Sequence, residues 1–195
     1  IHSNNIIHCD LHSGNILQDD LYNAYIGDLG FATSINKTLD KESGGIYGAL
    51  PYIAPEILEG QKFTKSSDIY SFGMIMWEIS SGNVAYFDYK DEDLILEIAI
   101  RDKRPAIIKG TAPCYVNLMK KCWDKVPEKR PSAIEIHETI LKWKNSIKTL
   151  AEFLKSDKKM EIKPNALNNT ENRAIYTSEI LKILANSHSN TTLQL

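Results

Sequence analysis

His8-Cys9-Asp10-Leu11-His12-Ser13-Gly14-Asn15-Ile16-Leu17 decides how this chain is read. The stretch sets an acid and an amide five positions apart on a short loop bounded by apolar runs. In a phosphoryl-transfer catalytic loop, an Asp orients and deprotonates an incoming hydroxyl. An Asn five residues later offers its carbonyl oxygen to magnesium, which takes only hard oxygen ligands. Asp10 and Asn15 fit these two roles. A second oxygen ligand comes from Asp28-Leu29-Gly30, directly after a hairpin-like stretch in which Ile16-Leu17 and Ala24-Tyr25-Ile26 flank the turn signal Asp19-Asp20.

Further motifs follow in order: Gly48-Ala49-Leu50-Pro51-Tyr52-Ile53-Ala54-Pro55-Glu56, then Asp68-Ile69-Tyr70-Ser71-Phe72-Gly73, then Glu128-Lys129-Arg130-Pro131. An isolated Asp-Leu-Gly carries almost no information, but this set in this order and spacing does. Together the motifs resemble the catalytic lobe of a eukaryotic protein kinase, over roughly residues 1 to 147. The Leu-His-Ser-Gly-Asn loop and the Asp-Ile-Tyr-Ser-Phe-Gly helix start look closest to the tyrosine-kinase-like serine/threonine branch. The resemblance implies a protein-kinase-like α+β fold: a mainly helical C-terminal lobe with a short β-hairpin at the catalytic loop. The N-terminal lobe is expected to be absent, because nothing before Ile1 provides a Gly-rich phosphate-covering loop, a Val-Ala-x-Lys strand or its Glu partner. With no initiating Met, the chain reads as a fragment whose upper lobe lies elsewhere.

Composition sets wide bounds. The 195 residues, 43% hydrophobic and 25% charged, suit one domain plus a tail. A net charge of -2, with 23 basic residues scattered among 25 acids, gives no footprint for nucleic acid or an anionic membrane. No apolar run approaches a membrane span and no signal segment opens the chain, so a cytoplasmic or nuclear protein is expected. Cys9, Cys114 and Cys122 are an odd number without a secretory signal, which argues for reduced thiols. A zinc pair from Cys114 and Cys122 would lack a second pair of ligands.

Residues 31 to 56 read as a long irregular segment of the kind that is usually functional. A helix apolar nearly all round is expected from Ser66 to Ser81, ending at Gly82. Asp91 to Arg101 and Tyr115 to Trp123 show apolar residues three and four apart. Ser132-Ala133-Ile134-Glu135 is a capping box opening a fourth helix that should run to about Leu154. Lys155 to Ala174 reads as a polar linker, and Ile175 to Ala185 as a short amphipathic helix that docks on the lobe or on a partner. The domain scheme is thus a partial kinase domain at 1–147, then the end of the last helix, the linker and the tail helix at 148–195.

By the resemblance, the cofactors are ATP and Mg2+ and the partners are protein substrates. Asp10 handles the hydroxyl, Asn15 and Asp28 hold magnesium, and Leu17 lies under the adenine. His8 is structural. Asp68 must accept hydrogen bonds from backbone, since an unpaired carboxylate in an apolar helix is expensive; the resemblance names that backbone as the catalytic loop. Glu56 and Arg130 look like a buried ion pair fixing the end of the activation segment.

Five positions depart from the family's pattern. Cys9 stands where many kinases have Arg, and a neutral thiol cannot clamp an activation-segment phosphate. Phosphorylation of Thr33, Ser34, Thr38, Ser43 or Tyr47 is therefore expected to be dispensable. His12 stands where serine/threonine kinases carry a Lys that meets the γ-phosphate, and Gly14 where tyrosine kinases use an Arg. A protonated His12 is the available substitute, weaker and pH-dependent. Ala49 replaces a common Thr, and Leu29 replaces Phe conservatively. The expected activity is ATP-dependent phosphoryl transfer to protein hydroxyls, with a pseudokinase or scaffold as the alternative. A small-molecule phosphotransferase would lack Ala54-Pro55-Glu56 and Arg130-Pro131. A phosphohydrolase built on His8, Asp10 and His12 would lack a distant ligand set.

Overall fold

The computed structural model describes residues 1–35, 46–159 and 179–181. Among these, six short strands form three antiparallel pairs: β1 (Ile6–Ile7) with β4 (Thr33–Ser34), β2 (Ile16–Gln18) with β3 (Ala24–Ile26), and β5 (Ile46–Gly48) with β6 (Glu179–Leu181). The helices are α1 (Pro55–Leu58), α2 (Lys65–Ser81), α3 (Asp91–Ala99), α4 (Pro113–Cys122), α5 (Ala133–Lys144) and α6 (Ile147–Asp157). The fold is therefore mainly helical, with small strand pairs around the loop that carries Asp10.

The hairpin expected after that loop is β2–β3, with Ile16 opposite Ile26 and Leu17 opposite Tyr25. Asp19 turns it: its Oδ1 accepts from the Leu21 and Asn23 amides at 2.9 and 2.8 Å, and its Oδ2 from the Asn23 side chain and the Tyr25 hydroxyl. Those donors hold the Asp19 carboxyl below its usual range.

α2 is the centre of the core. Thr64 and Ser67 make a reciprocal capping box at its start, and Gly82 at φ 65° closes its end in the left-handed conformation that glycine adopts cheaply. Its residues Ile69, Tyr70, Met74, Ile75, Met76 and Trp77 are buried. Ile79, in the last turn, is exposed. α4 crosses α2 at Gly73, where a Cβ would lie 2.9 Å from that of Cys122. The Tyr115 hydroxyl donates to the Met76 carbonyl at 2.8 Å and locks this crossing. α4 starts at Pro113, two residues before the expected Tyr115, because proline is pre-set for the first helical position.

Two expectations fail. The helix from Ser132 to about Leu154 is two helices, because Asn145 at φ -95° and ψ 0° ends α5 and the Ser146 hydroxyl accepts the Thr149 amide at 3.2 Å to start α6. Short polar side chains that bond nearby backbone favour such breaks. The amphipathic helix over Ile175 to Ala185 is not what the described part shows: residues 179–181 are β6, paired with β5. A short apolar run does not tell strand from helix by periodicity, and an open strand edge decided it. Thr38, Ser43, most of the expected linker and the remainder of the tail lie outside the described residues.

Cys9, Cys114 and Cys122 are free thiols. Among the described residues no helix is long and apolar enough to cross a membrane.

Candidate active site

The loop from His8 to Asn15 is held from below by α2. Asp68, in the first turn of that helix, accepts the His8 amide at 2.8 Å on Oδ2 and the Cys9 amide at 3.0 Å on Oδ1. The expected backbone partners of this buried carboxylate are thus the loop itself. His2 adds its ring nitrogen to Asp68 Oδ2 at 2.8 Å. Sequence gives no signal for His2, because its partner lies 66 residues away.

His8 is the pin between the two acidic turns. It is 1% exposed, its Nδ1 accepts the Asp10 amide at 3.3 Å, and its Nε2 donates to the Gly27 carbonyl at 3.0 Å. The Gly27 amide in turn donates to the Asn15 carbonyl at 2.8 Å. Asp10, Asn15 and the residue preceding Asp28 therefore sit on one hydrogen-bonded frame. Within it the Asn15 side-chain amide donates to the Asp10 carbonyl at 2.9 Å, so Oδ1 is the ligand atom left to that side chain. Asp28 is exposed, at φ 50°, and its Oδ1 accepts the Gly30 amide at 3.1 Å. Cys9 also lies in the left-handed region, at φ 68°. Non-glycine residues held there mark backbone over-determined by its surroundings.

Asp10 is 4% exposed, and β5 passes beside it: a Cβ on Gly48 would stand 3.4 Å from Asp10 Oδ1. On the other side His12 Nε2 lies 3.8 Å from Asp10 Oδ2. Burial pushes the His12 imidazole below its ordinary value, against the pull of the Asp10 carboxylate and with a smaller push from His8. Burial thus works against the weak, pH-dependent cation that the position of His12 offered. The Ser13 and Tyr52 hydroxyls meet at 3.2 Å, and Ser71 donates to the Tyr52 carbonyl at 2.7 Å. These bonds join the loop, the Ala49-to-Glu56 segment and α2.

At the far end of that segment Glu56 and Arg130 form a buried bidentate pair, at 2.6 and 2.7 Å. Leu17, by contrast, is 59% exposed, on a hairpin that also leaves Tyr25 and Ile26 uncovered.

Residues 1–140 match the model of a family described as protein tyrosine and serine/threonine kinase. The chain belongs to the protein kinase family. It is 30% identical over 148 residues to a serine/threonine/tyrosine-protein kinase of Arabidopsis thaliana, covering 76% of this chain and 37% of that protein. It is also 34% identical over 132 residues to a dual specificity protein kinase of Dictyostelium discoideum, covering 67% of this chain and 18% of that one. The chain thus spans well under half the length of these curated relatives. In this kinase the residue before Asp10 is a thiol that burial, with help from the Asp68 and Asp10 charges, pushes up to about 12. It is uncharged at neutral pH and offers no clamp for a phosphate.

For a divalent cation the donor set is consistent: Asn15 Oδ1 and the Asp28 carboxylate are hard oxygens. Among the described residues no group of three or more His, Cys, Asp or Glu could hold a metal. Two protein oxygens need phosphate and water to complete a coordination shell, which is how magnesium is commonly held in nucleotide sites.

Proposed function

We propose that this kinase transfers the γ-phosphoryl group of ATP to serine or threonine hydroxyls of protein substrates, in the intact protein of which these residues are part. The observation that carries the reading is the frame through His8, which ties the loop of Asp10 and Asn15 to the turn of Asp28. Asp10 accepts the proton of the incoming hydroxyl as its oxygen bonds to the γ-phosphorus and the bond to ADP breaks. Asn15 and Asp28 hold the cation through their side-chain oxygens, and Mg2+ supplies compensation for charge on the phosphates. Leu17 offers the exposed apolar surface on which adenine lies.

The chemistry asks mainly for alignment, and the hydrogen-bonded frame provides it. A scaffold that keeps the fold without transfer is the rival reading, and it has no use for all three oxygens. The test is magnesium-dependent transfer from ATP to a generic protein substrate by the full-length protein. Asp10→Asn and Asp28→Asn should each lower kcat by about 10³-fold, the scale of losing a positioned base or electrostatic group. Rates equal to wild type in both variants reject the assignment. Product carrying phosphotyrosine alone rejects the serine/threonine preference.

A further inference from the structure

We propose that the outer face of α6 is a docking site for an anionic lipid surface, which it meets with an apolar stripe bordered by lysines. The inference does not depend on the role of Asp10, and α6 (Ile147–Asp157) lies beyond the residues 1–140 that match the kinase family.

The helix is seated with a polar side inward. Phe153 fixes the seat, its ring packed edge-on against Trp143 of α5 and Tyr115 of α4 at centroid distances of 5.6 and 6.4 Å. Thr149 and Glu152 are half-buried on this side and Ser156 is buried. Ile147, Leu150 and Leu154, spaced by three and four with Ala151 between them, turn outward. Ile147 is 87% exposed and Leu154 64%, against 7% for Ser156. A surface helix ordinarily turns its apolar stripe to the core, so the outward stripe of α6 suits a partner outside the fold.

Charge selects that partner. From Lys142 to Lys159 six lysines meet two acids, a local charge of +4 in a chain whose net charge is -2, so the whole-chain balance hides a basic patch. All six lysines are exposed. Lys148 and Lys155 each follow a stripe residue and stand seven apart along one flank, and Lys158 extends the stripe by one turn from Leu154. Of the acids, Glu152 is turned toward α4, where burial first and then its charge push the Cys114 thiol up. Asp157 lies on the flank away from Lys148 and Lys155.

A helix of this kind lies in the plane of a bilayer surface, its stripe among the acyl chains and its lysines drawn to anionic headgroups. Three large apolar side chains on about 16 Å of helix anchor weakly by themselves, and the lysines supply the second signal that peripheral binding needs. A protein that wraps around a basic helix is disfavoured, since Phe153 holds the inner side against α4 and α5. A second copy is disfavoured as well, because antiparallel two-fold pairing of the stripes would set Lys148 and Lys155 beside the same two lysines.

Co-sedimentation of the full-length protein with vesicles tests this. Binding is expected to vesicles of phosphatidylcholine mixed with phosphatidylserine, and most of it should be lost at high salt or on phosphatidylcholine alone. Lys148→Gln with Lys155→Gln should lower the partition coefficient on mixed vesicles about 25-fold, or about fivefold for each lysine. Ile147→Asn with Leu154→Asn should lower it at least about tenfold. All four side chains are exposed, so urea midpoints and the rate of transfer to a peptide in solution should stay at wild-type values, which separates lost docking from lost folding. No binding to the mixed vesicles, equal binding to both kinds, or unchanged binding in both double variants overturns the proposal. A dimer in sedimentation equilibrium that ignores vesicles and is dissociated by Ile147→Asn with Leu154→Asn would give the stripe to a second copy and overturn the lipid reading.

Discussion

Cys9 shows how strongly one residue's chemistry depends on where the fold puts it. Its amide is held by Asp68 and its side chain is buried, with two carboxylates nearby, so burial first and then charge disfavour the thiolate. Iodoacetamide at pH 8 should therefore leave Cys9 and Cys122 unmodified in the folded protein and label them on unfolding, as read by mass spectrometry. Rapid native labelling of Cys9 would contradict this. The same shift has a stability consequence. The unfolded thiol ionises at its ordinary 9.0 and the folded one near 12, so stability is full below pH 9 and declines as pH rises from 9 toward 12. At pH 10 the loss is about 1.4 kcal/mol for this one group. Urea midpoints at pH 8 and pH 10 should converge in Cys9→Ala relative to wild type. Such behaviour was not legible in the sequence, where Cys9 is only a missing Arg. The backbone partners of Asp68 could be anticipated because a carboxylate in an apolar helix start must be satisfied, and Asp10, Asn15 and Asp28 stood out as candidates because their spacing is local. His2 could not, because its role exists only through a contact across the fold, and the burial that lowers the His12 imidazole is likewise invisible in the sequence.

At the level of elements, the meeting of α2 with α4 depends on a residue with no side chain. An added Cβ at Gly73 would sit 2.9 Å from Cys122 Cβ and 3.1 Å from the Trp123 backbone nitrogen, and neither neighbour is a flexible side-chain tip. Alanine in a helix interior is worth about 1 kcal/mol over glycine, whereas overpacking against backbone costs about 1–3 kcal/mol. The clash should win: Gly73→Ala is expected to destabilise by up to about 2 kcal/mol net, measured by urea unfolding, and a gain in stability would refute the close packing. α2 itself was legible because its Gly82 stop and its all-round apolar character are written locally, although the Thr64 capping box that starts it was not read. The division of α5 from α6 was harder to read, since a single Asn-Ser pair sits inside an otherwise helical pattern and its weight depends on whether Ser146 finds the Thr149 amide. The tail misled for a different reason. Ile180 and Leu181 are compatible with a helix or a strand, and only the partner strand at Ile46–Gly48 selects between them.

Across the whole molecule, Glu56 and Arg130 link segments 74 residues apart. Both side chains are nearly or fully buried, and the guanidinium also donates to the carbonyls of Asp124 at 2.8 Å and Ser66 at 3.0 Å. It lies over the Tyr70 ring, 5.2 Å from the centroid, so the pair is embedded beside the central helix. Coulomb attraction in such a place is offset by the loss of hydration of both ions, so the intact pair adds little net stability, but either ion alone is costly. Arg130→Met should therefore cost about 3–5 kcal/mol, because it strands the Glu56 carboxylate and frees the carbonyls of Asp124, Ser66 and Lys125 as well. Adding Glu56→Gln to Arg130→Met should recover part of that loss by removing the unpaired charge. A double-mutant cycle by urea unfolding is then expected to give a coupling of about 1–3 kcal/mol. Costs that simply add would mean that the two groups are solvated separately. The loop at Asp10 supplies an independent readout, since Glu56 closes the segment that runs from Gly48 past Asp10. If the pair fixes that segment, Arg130→Met should lower kcat at temperatures where the protein is still folded, and the charge-neutral double variant should restore part of it.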